Sequence, residues 1–107
     1  MITFEELMQE HLEWTAKQFP KGTSKGGILH AHRELDEIIQ DIENGAPKPI
    51  MAKEYADALF CIIDSANREG ISIADIVGEG YSKLQINKIR KWKYNGDGSY
   101  SHIKQPL

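Results

Sequence analysis

The sequence predicts an all-α protein built as a four-helix bundle. Four segments place apolar residues at i, i+3 and i+4 spacing. Clusters of Gly and Pro at Pro20–Gly27, Asn44–Pro49, Gly70 and from Asn95 onward separate them by short connections. No segment reads as a convincing strand, and helices joined by short loops pack as a bundle. At 107 residues the chain is read as one domain, residues 1–107, without internal repeats or low-complexity tracts.

The first helix is expected from about Thr3 to Phe19. Thr3 and Glu6 have the spacing of a capping box, the face Phe4, Leu7, Met8, His11, Leu12, Thr15 repeats at helical spacing, and Pro20 ends it. The second runs from Ser24 or Gly27 to Glu43, with Ile28, Leu29, Leu35, Ile38, Ile39 and Ile42 as its apolar positions and Asn44-Gly45 as a left-handed stop. The third spans about Pro49 to Glu69. Proline suits its first turn, Gly70 stops it, and Ala56–Ile63 is apolar on almost every side, which predicts a central, buried helix. The fourth starts at Ser72, weakly capped with Asp75, and continues to about Trp92, with a break expected near Gly80 because Gly78 and Gly80 weaken it. The rest of the chain reads as turn and extended tail.

Charge and composition narrow the function. Thirteen Lys+Arg against sixteen Asp+Glu leave a net charge of −3, which does not suit a duplex nucleic acid, since that binding depends on phosphate neutralisation. The longest near-apolar stretch, Tyr55–Ile63, is interrupted by Asp57 and falls well short of the roughly 20 residues of a membrane span. A single cysteine, Cys61, and no basic N-terminal region before an apolar core point to the cytoplasm.

The chemistry is concentrated in two acidic pairs. Glu34-x-x-Glu37 lies on the second helix and Glu54-x-x-Asp57 on the third, with sixteen residues between Glu37 and Glu54. Residues i and i+3 share a helix face, and Gly45, Pro47 and Pro49 allow the chain to turn back, so the four carboxylates are expected to face one another across antiparallel helices. With sixteen acids in the chain, either pair alone is the ordinary mark of a solvated helix face. Asp57 tips the balance, because a carboxylate among Tyr55, Ala56, Ala58, Leu59 and Phe60 is expected to be buried and to need a partner. A hard divalent cation, Mg²⁺ with Mn²⁺ as substitute, matches an all-oxygen ligand set. Zinc is not expected, because the four His residues lack a compact ligand pattern.

These residues resemble a family. The two acidic pairs and their spacing are similar to the signature of the all-α nucleoside triphosphate pyrophosphohydrolases, the MazG-like group, and the closest likeness is to its dATP/dGTP pyrophosphohydrolase branch, which includes the phage MazZ enzymes. Trp14 followed by Phe19-Pro20, His30 before Arg33-Glu34, Asp64-Ser65-Ala66, Lys83 through Trp92, and Asp97-Gly98 with His102 each resemble pieces of that branch in the same order. The stretch Lys21–Gly27 and the short Asn44–Ile50 connection depart from it.

The resemblance implies hydrolysis of the α–β phosphoanhydride of a nucleoside triphosphate, by attack of metal-activated water on the α-phosphorus with release of pyrophosphate. It implies Mg²⁺ held by Glu34, Glu37, Glu54 and Asp57, one of which, or a neighbouring carboxylate, orients the water. It also implies assembly as a homodimer or homotetramer, which agrees with a core of about 100 residues that carboxylates make less apolar.

Lys83, Asn87 and Arg90, at i, i+4 and i+7, form a basic face suited to a triphosphate; Lys88 and Lys91 lie off it and read as a solvated helix end. Trp14 is a candidate to stack on the base and Phe19 to wall the pocket, against the plainer reading of both as core. His30 precedes Glu34 by one turn and is placed to orient it or touch phosphate. Asp64, two turns after Asp57, is a candidate acceptor for a purine N–H, against simple solvent exposure at a helix end. Trp92 and His102 either close the pocket or anchor the tail, and Lys17, Lys21 and Lys25 lie in or beside a Gly-rich loop placed to reach phosphate, against the more common reading of a mobile solvated loop. The competing functional class is a non-catalytic helical interaction module with solvated acidic faces.

Overall fold

The computed structural model describes residues 1–104. Four helices, α1 (Phe4–Gln18), α2 (Ser24–Asn44), α3 (Lys48–Arg68) and α4 (Ile73–Ile89), are followed by two short strands, β1 (Trp92–Tyr94) and β2 (Tyr100–His102). Local chemistry sets the helix ends. Thr3 and Glu6 form the reciprocal capping box of α1, with Glu6 N–H donating to Thr3 Oγ1 at 3.1 Å and Thr3 N–H to Glu6 Oε1 at 3.3 Å. Thr23 caps α2 by accepting from Gly26 N–H at 2.9 Å, and Gly45 at φ 64° terminates it in the left-handed region. Pro47 and Pro49 lead into α3.

The chain divides into two compact units. In the first, Met1–Ile73, α3 packs against both α1 and α2, most extensively against α2. Met8 and Leu12 of α1, Ala31 and Ile38 of α2, and Ala58 and Ile63 of α3 make its core. The α2–α3 pair is antiparallel: Ser65 Oγ, near the end of α3, donates to Ser24 O at the start of α2 at 2.7 Å. Gly27 permits the approach. A Cβ there would lie 3.1 Å from Ser65 Cβ and 3.2 Å from Cys61 O.

One expectation about α3 is corrected. The helix is central, but Tyr55, Leu59 and Ile62 are exposed in the single chain. Its apolar composition exceeds what α1 and α2 cover, so composition alone overstated its burial.

The second unit begins at Ala74 and holds the rest of α4 and the two strands. Here α4 runs without a break at Gly80 and ends at Ile89, short of Trp92. The tail is not merely extended: Trp92–Tyr94 and Tyr100–His102 pair antiparallel, Trp92 opposite His102 and Tyr94 opposite Tyr100. Gly96 and Gly98, at φ 87° and 89°, make the turn. The Asn-Gly-Asp-Gly run flanked by aromatic residues is a hairpin signal in the sequence. Trp92 Nε1 donates to Asn87 O at 3.0 Å and ties the hairpin to the end of α4. Among the described residues no helix is long and apolar enough to cross a membrane.

Candidate metal centre and adjoining cleft

The antiparallel α2–α3 pair aligns two stripes of side chains. Gly27, His30, Glu34 and Glu37 succeed one another along α2, and Glu54, Asp57, Cys61 and Asp64 along α3. Gly27 faces Ser65 and Cys61, so the acidic positions meet further along the same seam. There Glu34, Glu54 and Asp57 each offer a carboxylate oxygen, all within 4.8 Å of one another. Glu37 is outside this trio but stands beside Glu54: desolvation first, then the Glu34 and Glu37 carboxyls, raise the Glu54 pKa above its ordinary value.

The donor set fits a hard divalent cation. Glu34 Oε1 is taken by His30 Nε2 at 3.1 Å, while Glu34 Oε2 is buried and no hydrogen-bond donor among the described residues reaches it. A buried carboxylate oxygen facing two further carboxylates is costly unless a positive charge is added. Asp57 differs from expectation. It is exposed rather than buried, because the groove above it is open, so its apolar neighbours along the chain do not enclose it.

Glu34 and Asp57 of the trio border a cleft of about 760 Å³, between α1, the connection after α1, the start of α2 and one face of α3. Glu34, Asp57, His30 and Arg33 lie at one end. The walls include Trp14 and Phe19, whose rings meet edge to face at 5.3 Å, and His11 stacked on Phe60 at 4.2 Å and 5°. Trp14 is therefore half exposed over the cleft instead of filling the core. Burial lowers the His11 pKa, opposed by the Asp64 and Asp57 carboxylates, and its buried Nδ1 has no partner among the described residues. Burial, then the nearby Glu34, Asp57 and Asp64 carboxylates, pushes the Cys61 thiol up, which keeps it protonated and unsuited to nucleophilic work.

Asp64 also lines the cleft. It is not solvent-facing: its side chain is 14% exposed and accepts from Arg68 Nε at 2.9 Å. His11, Arg33, Phe60 and Arg68 were absent from the sequence-based site. Phe60, Asp64 and Arg68 follow Asp57 at +3, +7 and +11, so extending the acidic face of α3 by three turns finds all three. Lys83 and Asn87 lie on α4, and Arg90 directly follows it, in the second unit.

Four helices with converging carboxylates beside an aromatic-walled cleft are found here in a fold shared with a MazG-like pyrophosphohydrolase. The chain resembles the cyanophage S-2L MazG-like pyrophosphohydrolase, solved bound to dGDP and three catalytic Mn²⁺ ions per active site, with a TM-score of 0.74 and 29% identity over 97% of this chain and 100% of that one. The model of the dATP/dGTP pyrophosphohydrolase family matches residues 7–106, and the chain belongs to that family. A dATP/dGTP diphosphohydrolase of Salmonella phage PMBT28 is 31% identical over 90 residues, covering 84% of this chain and 28% of the relative. The Eaa protein of Salmonella phage P22 is 34% identical over 102 residues, covering 94% of this chain and 30% of that protein. The chain thus spans under a third of the length of the curated relatives it matches.

Proposed function

We propose that the chain is a Mg²⁺-dependent pyrophosphohydrolase that converts dATP and dGTP to their monophosphates and pyrophosphate. The convergence of Glu34, Glu54 and Asp57 at one end of an aromatic-walled cleft carries this reading. The family match and the dGDP held by the cyanophage protein support the substrate class.

Glu34, Glu54 and Asp57 would hold the ion, with Glu37 beside Glu54 as a further ligand. When bound, the ion offsets charge on the phosphate chain and lowers the pKa of an attacking water. His30 fixes the Glu34 carboxylate through its 3.1 Å contact at Oε1, leaving Oε2 buried with no donor among the described residues. One of the four carboxylates accepts the proton of the water that attacks the α-phosphorus, and pyrophosphate leaves. Trp14 and Phe19 offer ring surface to the base, and Asp64 offers a carboxylate oxygen to a purine N–H. Lys83, Asn87 and Arg90 are assigned to the triphosphate because Lys83 and Asn87 share a face of α4 and Arg90 directly follows it, together supplying cations and an amide donor.

The chain is further proposed to work in the cytoplasm as a homodimer or homotetramer. Support for assembly comes from exposed Tyr55, Leu59 and Ile62 on α3 and Val77, Tyr81 and Ile89 on α4. Incubation with each dNTP and Mg²⁺ tests the activity: pyrophosphate and monophosphate are expected, with dATP and dGTP preferred. A folded protein releasing neither pyrophosphate nor phosphate from any nucleotide would overturn the proposal in favour of a helical interaction module. Light scattering reads the assembly, and a strictly monomeric mass rejects that part.

A further inference from the structure

The connection Phe19-Pro20-Lys21-Gly22-Thr23 walls the cleft, and residues far away in sequence hold it. Arg68, in the last turn of α3, donates from Nη1 to Gly22 O at 2.7 Å, from Nη2 to Phe19 O at 3.2 Å and from Nε to Asp64 Oδ2 at 2.9 Å. An arginine at a helix C-terminus ordinarily answers its own helix dipole. Here two of its donors instead reach across 46 and 49 residues. The loop lies flat on the guanidinium: a Cβ on Gly22 would come within 2.8 Å of Arg68 Cζ. The ring of Phe19, whose carbonyl is one of the tethered groups, meets Trp14 edge to face. The Arg68 side chain is only 18% exposed, and its bond to Asp64 is partly buried while the two to the loop carbonyls are open to water.

We infer that Arg68 is the positioning residue for the nucleoside end of the cleft, clamping the Phe19–Gly22 loop and the Asp64 carboxylate into one wall. It takes no part in the chemistry at Glu34, Glu54 and Asp57. The planar fork is essential, since a lysine ammonium offers no fixed set of divergent donors for two carbonyls and a carboxylate. The inference rests on the nucleotide-hydrolysis reading for its kinetic consequence, but not for the clamp itself.

Three full-chain variants test it: Arg68→Met, Arg68→Lys and Gly22→Ala. The last pushes the guanidinium off the loop without removing a charge, and it covers the case in which Arg68→Met fails to fold. KM for dGTP should rise about tenfold in each, as loss of a charge-assisted hydrogen bond implies, with kcat held within about twofold. Mg²⁺ affinity measured by calorimetry should stay within about twofold. An unchanged KM in the folded variants, or a kcat that falls as far as KM rises, overturns the inference. Amide exchange separates its failure from that of the hydrolysis reading. If the parent protein releases no pyrophosphate, faster exchange at residues 19–23 in Arg68→Lys and Gly22→Ala still supports the clamp, and parental exchange there removes it.

Discussion

The two units of this chain use apolar residues in opposite ways. In the first, three helices share a core that includes Met8, Leu12, Ile38 and Ile63, and Glu34, Glu54, Asp57, Asp64 and Arg68 gather along one seam and cleft. In the second, no residue of α4 is buried, and Val77, Tyr81, Leu84, Ile86 and Ile89 are all exposed. The helix is apolar in composition yet has no core of its own. A helix of this kind draws little stability from propensity, since most helical stability in proteins comes from tertiary packing. The first unit thus contains the materials for both fold and site, while the second has a surface suited to burial in an assembly.

The sharpest way to break this division of labour is to disable the acidic seam without touching packing. Asp57→Asn keeps the side chain's size and, because Asp57 is exposed, should leave helicity and melting temperature near those of the parent. It removes one of three converging carboxylates, and the ion's contribution to catalysis is several kcal/mol, so pyrophosphate release should fall about a thousandfold. Parental turnover in this variant would remove Asp57 from the site.

Packing gives the next largest contrast. Met8 is 1% exposed, and Met8→Ala should cost about 3 kcal/mol in denaturant unfolding through lost burial and a residual cavity. Ile89, 84% exposed, should tolerate Ile89→Ser with little loss of intrinsic stability, while the mass measured by light scattering falls toward the monomer. A large destabilisation of a variant that remains oligomeric would show that α4 has a structural role the single chain does not display.

Much of this contrast was legible in the sequence. The caps at Thr3 and Gly45 and the spacing of Glu34, Glu37, Glu54 and Asp57 are local or periodic signals, and helix geometry converts them directly into placement. The burial of Asp57 was misjudged because neighbours along the chain do not report what lies across a groove. The clamp at Arg68 was invisible for a related reason: two of its partners are backbone carbonyls almost fifty residues away, and a carbonyl has no sequence signature. The hairpin is legible in Asn95-Gly96-Asp97-Gly98, but the same residues also mark a plain turn, and the strands on either side are only three residues long.

A smaller effect is expected from the basic face of the second unit. Lys83→Ala and Arg90→Ala should each raise KM about tenfold, as loss of a charge-assisted phosphate contact implies, while metal affinity stays parental. Lys88→Ala and Lys91→Ala, off that face, serve as controls and should change KM little. Equal effects from all four would reduce the assignment to general electrostatic attraction and erase the distinction between the two faces of the helix.

The smallest contrast lies in pH dependence, where the first unit holds two opposed effects and the second a single acid-side one. In the first, the folded-state pKa of Glu54 is raised above 4.5, so without divalent ion the stability it contributes is present below that value and is lost as pH climbs through its folded value. His11 acts in the opposite direction: its lowered pKa means stability is lost as pH falls from 6.5 toward its folded value. Glu54→Gln should therefore remove a decline on the alkaline side of 4.5 in the ion-free protein, and His11→Gln one on the acid side of 6.5. Added Mg²⁺ should also suppress the Glu54 effect, because a cation between the carboxylates favours their ionised forms. In the second unit, hydrogen bonds from Ser99 hold Asp97 below its usual carboxylate value, so the hairpin's share is lost only as pH falls below 3.8. Thermal melts across pH, with and without Mg²⁺, and hairpin amide shifts followed by NMR read these windows separately. A Glu54→Gln melt that keeps the alkaline decline would show that the carboxyls of the seam are not electrostatically coupled in solution, and the case for a cation between them would lose its energetic basis.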